Sequence, residues 1–208
     1  SYLYGKKSLH ILIHELSKIE GVKWIRILYC YPEDIYDELI DEIKNNEKVC
    51  HYLDLPIQHA SDRILKLMGR QTTKDEILSK INALRDAVPD IVLRTTLIAG
   101  FPGETPEDHE QVLDFVEDVE FDKLGVFTYS QEEGTPAATM DNQIDEDTKN
   151  QRRNEIMELQ QGIVFEKCDA MVGNEFEVII EGKIPMENAY IGRTYMDAPG
   201  VDSNIFVV

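Results

Sequence analysis

The sequence predicts an α/β fold: a partial (βα) barrel of parallel strands with helices outside it, followed by a partial small antiparallel β-barrel. Three observations predict it. Segments with helical spacing alternate with short apolar runs over residues 1–170, the order that packs helices outside a parallel sheet. The strand-like runs are apolar at most positions, as expected of strands covered on both faces. Beyond residue 170 the helical period gives way to β-rich segments separated by Gly and Pro, the texture of a small barrel. The division into two units is therefore placed at 1–170 and 171–208.

Each element has its own signal. Leu9, Leu12, Ile13, Leu16 and Ile19 recur at helical spacing over 8–20, predicting a helix with one buried face that ends at Gly21. Residues 24–31 are rich in Ile, Leu and aromatic side chains and stop at Pro32, predicting a buried strand. A second helix is expected over 34–46 and a second strand over 51–57. Ser61 is expected to cap a short helix through Met68, and Thr73 a longer one carrying Ile77, Ile81, Leu84 and Val88. The apolar run 91–99 leads into Gly100-Phe101-Pro102-Gly103-Glu104, and Thr105 with Pro106 then starts a helix. A threonine caps the free amides there, and proline fits the first helical position. One more strand over 121–129 precedes an acidic loop and a long helix over 145–170. Strands are expected at 175–181, 189–195 and 204–208. With four parallel strands and a helix first, the chain is expected to begin inside a domain.

Composition narrows the function. Apolar content of 42% with 29% charged residues is that of an ordinary globular protein. No apolar run approaches the roughly 20 residues needed to span a bilayer, and residues 1–7 carry no leader pattern, so no membrane role and a cytoplasmic location are expected. Forty acidic against 21 basic residues give a net charge of −19, which repels nucleic-acid backbones and would steer in a basic protein partner, although composition alone favours a merely solvated acidic surface. Cys30, Cys50 and Cys168 lie far apart with no C-x-x-C pair, so no metal site is expected within this chain.

Ligands of a parallel αβ array sit beyond the carboxyl ends of its strands. Four such places occur here: Cys30 to Glu33, Ile57 to Ser61, Gly100 to Thr105, and Tyr129 to Thr135. In the third, two glycines would let a ligand approach the backbone, and the helix opened by Thr105 attracts polar groups; an ordinary tight turn explains it equally. Arg94 and Thr96 alternate in the preceding strand and so share a face, where a buried arginine needs either a ligand carboxylate or a fixed acid such as Asp54. Gln58 and His59 end their strand. His59 is open between a base or ligand and a hydrogen-bonded structural histidine, the latter favoured because no second histidine lies at metal spacing. Arg70 either clamps an anion or decorates a helix end, and Glu132 with Glu133 reads as solvated loop.

Five strings, 51–59 (HYLDLPIQH), 67–70 (LMGR), 94–105 (RTTLIAGFPGET), 125–130 (GVFTYS) and 133–137 (EGTPA), in this order, closely resemble the methylthiotransferases of the radical S-adenosylmethionine superfamily. Ile57-Gln58-His59 is similar to the branch that modifies an aspartate of a small-subunit ribosomal protein; the branch acting on transfer RNA usually has glutamine, serine and glycine there. Residues 195–202 (YMDAPGVD) are similar to the terminal β-domain, called TRAM, of that branch. From residue 171 onward Glu175, Glu177, Glu181, Glu187, Asp197 and Asp202 face two bases, Lys183 and Arg193, a balance that suits a basic ribosomal protein better than RNA.

The resemblance implies a partial radical-enzyme barrel with a TRAM-like appendage. It implies S-adenosylmethionine as cofactor, with two [4Fe-4S] clusters whose cysteine ligands lie outside this chain, so that the chain alone is expected to be inactive. A deoxyadenosyl radical would take hydrogen from the aspartate β-carbon before sulfur insertion and methylation, with an electron donor that the sequence does not name. Gln58, Arg94, Thr96, Gly100 and Gly103, with Arg70 and Tyr129, are expected to line the S-adenosylmethionine pocket; no catalytic residue and no metal ligand is assigned. The rival readings are a transfer-RNA adenosine methylthiotransferase and a non-catalytic acidic module that binds a basic protein.

Overall fold

A computed structural model describes residues 2–3 and 6–208. Strands β1 (Tyr2–Leu3) and β2 (Lys6–Lys7) form a two-residue antiparallel pair. Helix α1 (Leu9–Ser17), strand β3 (Ile25–Ile27), helix α2 (Asp37–Asn45) and strand β4 (Val49–Gln58) follow. Then come α3 (Asp62–Leu67), α4 (Lys74–Ala87), β5 (Val92–Ala99), α5 (Pro106–Val119) and β6 (Lys123–Thr128). The 25-residue α6 (Glu146–Ala170) leads to β7 (Ile179–Lys183), β8 (Tyr190–Arg193) and β9 (Ile205–Val207). Strands β3 to β6 form one parallel sheet in sequence order, and β7 to β9 form an antiparallel sheet.

Alternation along the strands gives the parallel sheet two unlike faces. Leu53, Leu55, Ile57, Leu93, Leu97 and Ala99 point outward into the main core, where they meet Leu39, Ile43, Ile81, Val112, Phe115 and Val116 of the helices. The other face carries polar groups: Tyr52 and Asp54 on β4, Arg94 and Thr96 on β5, Lys123 and Gly125 on β6. The ladder aligns Asp54 with Arg94 and Arg94 with Lys123. The lower end of this inner face is covered by the C-terminal unit, because Ala198, Tyr195 and Met196 pack on Cys50, Tyr52 and Val92.

Helix starts follow their sequence signals at Thr73 and Thr105, each closing a reciprocal capping box, and at Asp145, which accepts from Thr148 N. Four expectations need correction. The chain does not open on a helix, since the β1–β2 pair precedes it. Helix α1 stops at Ser17, and of its expected buried face Ile13 is buried and Leu9 partly so, with Leu12, Leu16 and Ile19 between 38% and 55% exposed: among the described residues no element packs over these three. The strand over 24–31 is only three residues long, because Tyr29 turns to φ 57° and its amide leaves the ladder for the Asp54 side chain. Ser61 stands at the start of α3 without capping it, its hydroxyl donating instead to Asp108 Oδ1 at 2.7 Å.

Candidate functional site

The carboxyl ends of β4, β5 and β6 form a mouth. Gln58 ends β4 at φ 72°, a left-handed conformation uncommon for a non-glycine residue and a recurrent mark of functional backbone. Its amide Nε2 donates to Pro56 O at 3.2 Å. Arg70, which follows α3, donates to the same carbonyl at 3.3 Å and lies 4.8 Å from the Tyr31 ring centre, a cation–π stack at the rim. Across the mouth Tyr129 stands edge-on to Phe101 with ring centres 5.3 Å apart, beside Ile64, Met68 and Ile98. The Tyr129 hydroxyl is buried and has no hydrogen-bond partner among the described residues. A desolvated hydroxyl of this kind is costly unless something else bonds it, so an orphan donor among apolar side chains fits a ligand with both polar and apolar parts, as S-adenosylmethionine has.

The loop from Gly100 to Thr105 is fixed from within. Glu104, only 1% exposed at its side chain, accepts from Gly100 N at 2.7 Å and Phe101 N at 3.1 Å, and pairs with Arg152 Nη1 of α6 at 2.9 Å. His59 Nε2 lies 3.6 Å from the same carboxylate. Burial alone would raise the Glu104 pKa, but His59, Arg152 and the Gly100 amide outweigh it and hold the carboxyl below its ordinary value. Asp108 is likewise depressed: burial opposes ionisation, and donors from Arg63, Ser61 and Thr105 overcome it. His59 is thus the structural histidine of the two readings, its Nδ1 accepting from Ser61 N at 2.9 Å.

These contacts change the physical reading of the two glycines. Gly100 has φ 75°, and a Cβ there would collide with the Lys149 side chain of α6, so the room beside it is already filled. Gly103 has φ 81°, donates to Asn142 O at 2.9 Å and accepts from Arg63 Nη2 at 2.7 Å. The amides of Gly100 and Phe101 serve Glu104. Loop conformation, rather than close approach of a ligand, therefore accounts for the glycines.

Below the mouth, Arg94 is satisfied by fixed acids. Its Nη1 donates to Asp54 Oδ1 at 2.9 Å and to Thr96 Oγ1 at 3.3 Å, and its Nε lies 3.5 Å from Asp202 Oδ1. Burial works against the charge, but the Asp54 bond and both carboxylates raise the Arg94 pKa overall. Asp202 Oδ2 in turn accepts from Tyr52 Oη at 2.8 Å and Ala198 N at 2.8 Å. Lys123 pairs with Asp197 at 3.0 Å. The acidic balance of the C-terminal unit consequently changes meaning: Asp197 and Asp202 are buried in internal pairs, while Glu177 and Glu181 pair with Lys23 and Arg193.

The seven expected residues thus fall into three places: Gln58, Arg70 and Tyr129 at the mouth, Arg94 and Thr96 on the inner face, Gly100 and Gly103 in the latched loop. A cleft of about 870 Å³ runs along the β6 side of the inner face, touching Arg94, Gly125, Met157, Phe165 and Asp202 but none of the mouth residues. The internal networks also use Arg152, which lies in no motif, and Tyr52 and Asp108, whose motifs, the 51–59 string and the Thr105 capping box, do not announce these partners. Glu132 and Glu133 are exposed, as expected of a solvated loop. Among the described residues no group of three or more His, Cys, Asp or Glu side chains is placed to hold a metal ion. Cys30 is buried, which pushes its thiol up to about 12, so it is a poor thiolate ligand. The donor set does not fit an iron–sulfur cluster, and no step through one is assigned to these residues.

A parallel sheet with outer helices and a strand-end mouth defines the class, and the radical SAM superfamily profile matches residues 2–116. The chain belongs to that superfamily. A TRAM domain profile matches residues 172–208. Over 205 residues the chain is 58% identical to ribosomal protein uS12 methylthiotransferase RimO of Lachnoclostridium phytofermentans, covering 99% of this chain and 47% of that relative. It is 54% identical over 205 residues to the RimO of Clostridioides difficile, covering 46% of it. The chain spans about half the length of these relatives. Among solved structures, coproporphyrinogen III oxidase (HemN) from Escherichia coli shares the fold at a TM-score of 0.52 and 21% identity, over 78% of this chain and 37% of that one. Elp3 of Methanocaldococcus infernus does so at 0.51 and 17%, over 67% and 33%. Among the described residues no helix is long and apolar enough to cross a membrane.

Proposed function

We propose that the complete protein is a methylthiotransferase that modifies an aspartate of a small-subunit ribosomal protein, and that this chain supplies the sheet wall and mouth that hold S-adenosylmethionine. The observation that carries the proposal is 58% identity, along 99% of the chain, to proteins named for that activity on uS12. The mouth supports it independently, through its orphan Tyr129 hydroxyl and left-handed Gln58.

In this reading, bound S-adenosylmethionine supplies a radical able to remove hydrogen from an unactivated carbon. The residues of this chain position it. Gln58 offers an amide at the end of β4, Tyr129 a hydroxyl with no partner among the described residues, and Arg70 a cation braced on Tyr31. Arg94 acts one layer down by orienting Thr96, which faces the same side. Gly100 and Gly103 act through loop shape, holding the ends of β5 and α5 in register with the mouth. Apolar Ile98, Met68 and Phe101 exclude water from it. Two iron–sulfur clusters belong to the proposal, held by residues outside those described. The substrate is a basic ribosomal protein met by a chain of net charge −19, and the work is done in the cytoplasm, where ribosomes are. The two units are divided at residues 170 and 171.

The test is mass spectrometry of small-subunit ribosomal proteins from cells with and without the gene. Loss of a methylthio group from one aspartate-bearing peptide of uS12 is expected. An unchanged peptide, with loss of a thiomethylated adenosine in transfer RNA instead, would move the protein to the other branch.

A further inference from the structure

A continuous polar chain joins the C-terminal unit to the mouth. It begins at Asp202, whose side chain is 5% exposed and is fixed by Tyr52 Oη and Ala198 N. It passes to Arg94 Nε at 3.5 Å, then from Arg94 Nη1 to Asp54 Oδ1 at 2.9 Å. It ends where the other oxygen of Asp54, Oδ2, accepts the backbone amide of Tyr29 at 3.2 Å, while the Asp54 carbonyl accepts Cys30 N at 2.9 Å. Tyr29 is the residue that leaves the β3 ladder, with φ 57° and 79% of its surface exposed, two residues before Tyr31, on whose ring Arg70 of the mouth stacks at 4.8 Å.

The left-handed conformation is unfavourable for tyrosine by about 1–2 kcal/mol and persists only where the surroundings hold it. Here the holding groups are the two bonds that Asp54 accepts, from Tyr29 N and Cys30 N. Asp54 is 2% exposed and has one oxygen for Tyr29 and one for Arg94, so its orientation depends on where the guanidinium stands. Arg94 has carboxylates on two sides, one from the sheet and one from the C-terminal unit. Removing the second leaves the guanidinium free to turn toward Asp54 alone, and the Tyr29 amide competes for that carboxylate.

We infer that Asp202 is a positioning residue for the mouth: through Arg94 and Asp54 it holds Tyr29 in its left-handed conformation, so that seating of the C-terminal unit sets the rim beside Gln58. The inference rests on the reading of the mouth as the working site. It makes the TRAM-like unit a brace for the barrel as well as an appendage. It also explains why an acid that composition assigns to a docking surface is buried.

The test uses the complete protein carrying Asp202→Asn, with backbone amide exchange as the readout. Exchange at Tyr29 and Cys30 is expected to quicken about fivefold or more, a coupling of ordinary size between distant groups, while the α4 core amides from Ile77 to Leu84 stay protected and report any global opening. Asp202→Glu should restore part of the protection. Adding Arg94→Lys to Asp202→Asn should add less than the sum of the single effects, because both act along one chain. Tyr52→Phe, which removes one hydroxyl from Asp202 and no charge, should give the same pattern more weakly and serves if Asp202→Asn does not fold. Unchanged exchange at Tyr29 and Cys30, with loosening confined to residues 195–203, would overturn the inference. Faster exchange with unaltered S-adenosylmethionine affinity would uphold the coupling and overturn the functional reading of the mouth instead.

Discussion

Glu104→Gln removes the charge at the centre of the loop latch while keeping its shape. The native carboxylate accepts from Gly100 N, Phe101 N and Arg152 Nη1 at 2.7, 3.1 and 2.9 Å, with His59 Nε2 at 3.6 Å. A glutamine has one acceptor oxygen for these donors, so its NH2 group must face either two backbone amides or a guanidinium. Arg152, with a side chain only 10% exposed, then holds an uncompensated charge. Breaking a buried pair from one side costs about 3–5 kcal/mol. At about 2–4 °C per kcal/mol for a domain of this size, Tm should fall by about 6–20 °C. Circular dichroism melts at neutral pH measure this, with exposed Glu133→Gln as the control expected to stay within about 0.5 kcal/mol of wild type. A Glu104→Gln midpoint within 2 °C of wild type, on the order of half a kcal/mol, would refute the latch.

The remaining expectations concern the same contacts and the thiols. Gly100→Ala adds a Cβ against Lys149 at a left-handed φ and should destabilise by about 2–4 kcal/mol, whereas Gly103→Ala meets only Leu67 Cδ1 at 4.0 Å, an ordinary contact, and should cost only the conformational term of about 1–2 kcal/mol; urea titrations give both. Glu104 and Asp108 are held below their ordinary values when folded, so their stabilisation is complete above the unfolded carboxylate range near about pH 4 and is lost as pH falls through the lower folded values. Asp108→Asn should therefore flatten the acid limb of a Tm-against-pH curve and lower its neutral plateau; an acid limb parallel to wild type would contradict this. Native-state alkylation at pH 8 should label exposed Cys168 and spare buried Cys30 and Cys50, as counted by intact-mass spectrometry; rapid labelling of all three would show the sheet to be open.

Much of the fold is legible because its signals are local. Thr73 and Thr105 announce helix starts with a side chain and a following acid, and the alternation in residues 92–99 puts Arg94 and Thr96 on one face while Leu93 and Leu97 go to the core. The Asp54–Arg94 pair follows from that alternation and from the cost of an unpaired buried arginine. What stays hidden depends on partners distant in sequence. Nothing near Arg152 marks it as the counter-charge of Glu104, 48 residues away. Ser61 has the residue type and position of a cap, yet a stronger acceptor at Asp108 takes its hydroxyl. The apolar stripe of α1 has the period of a buried face, but periodicity cannot supply the surface that would cover Leu12 and Leu16. Charge counting fails for a related reason at Asp197 and Asp202, which composition treats as solvent-facing and tertiary structure places against Lys123 and Arg94.

The mouth as the seat of S-adenosylmethionine is the central claim, and calorimetric titration of the complete protein tests it most directly. Gln58→Ala and Tyr129→Phe should each weaken S-adenosylmethionine binding by about tenfold, the equivalent of one good hydrogen bond, with Glu133→Gln unchanged. Wild-type affinity in both mouth variants, with their folds intact by circular dichroism, would contradict it.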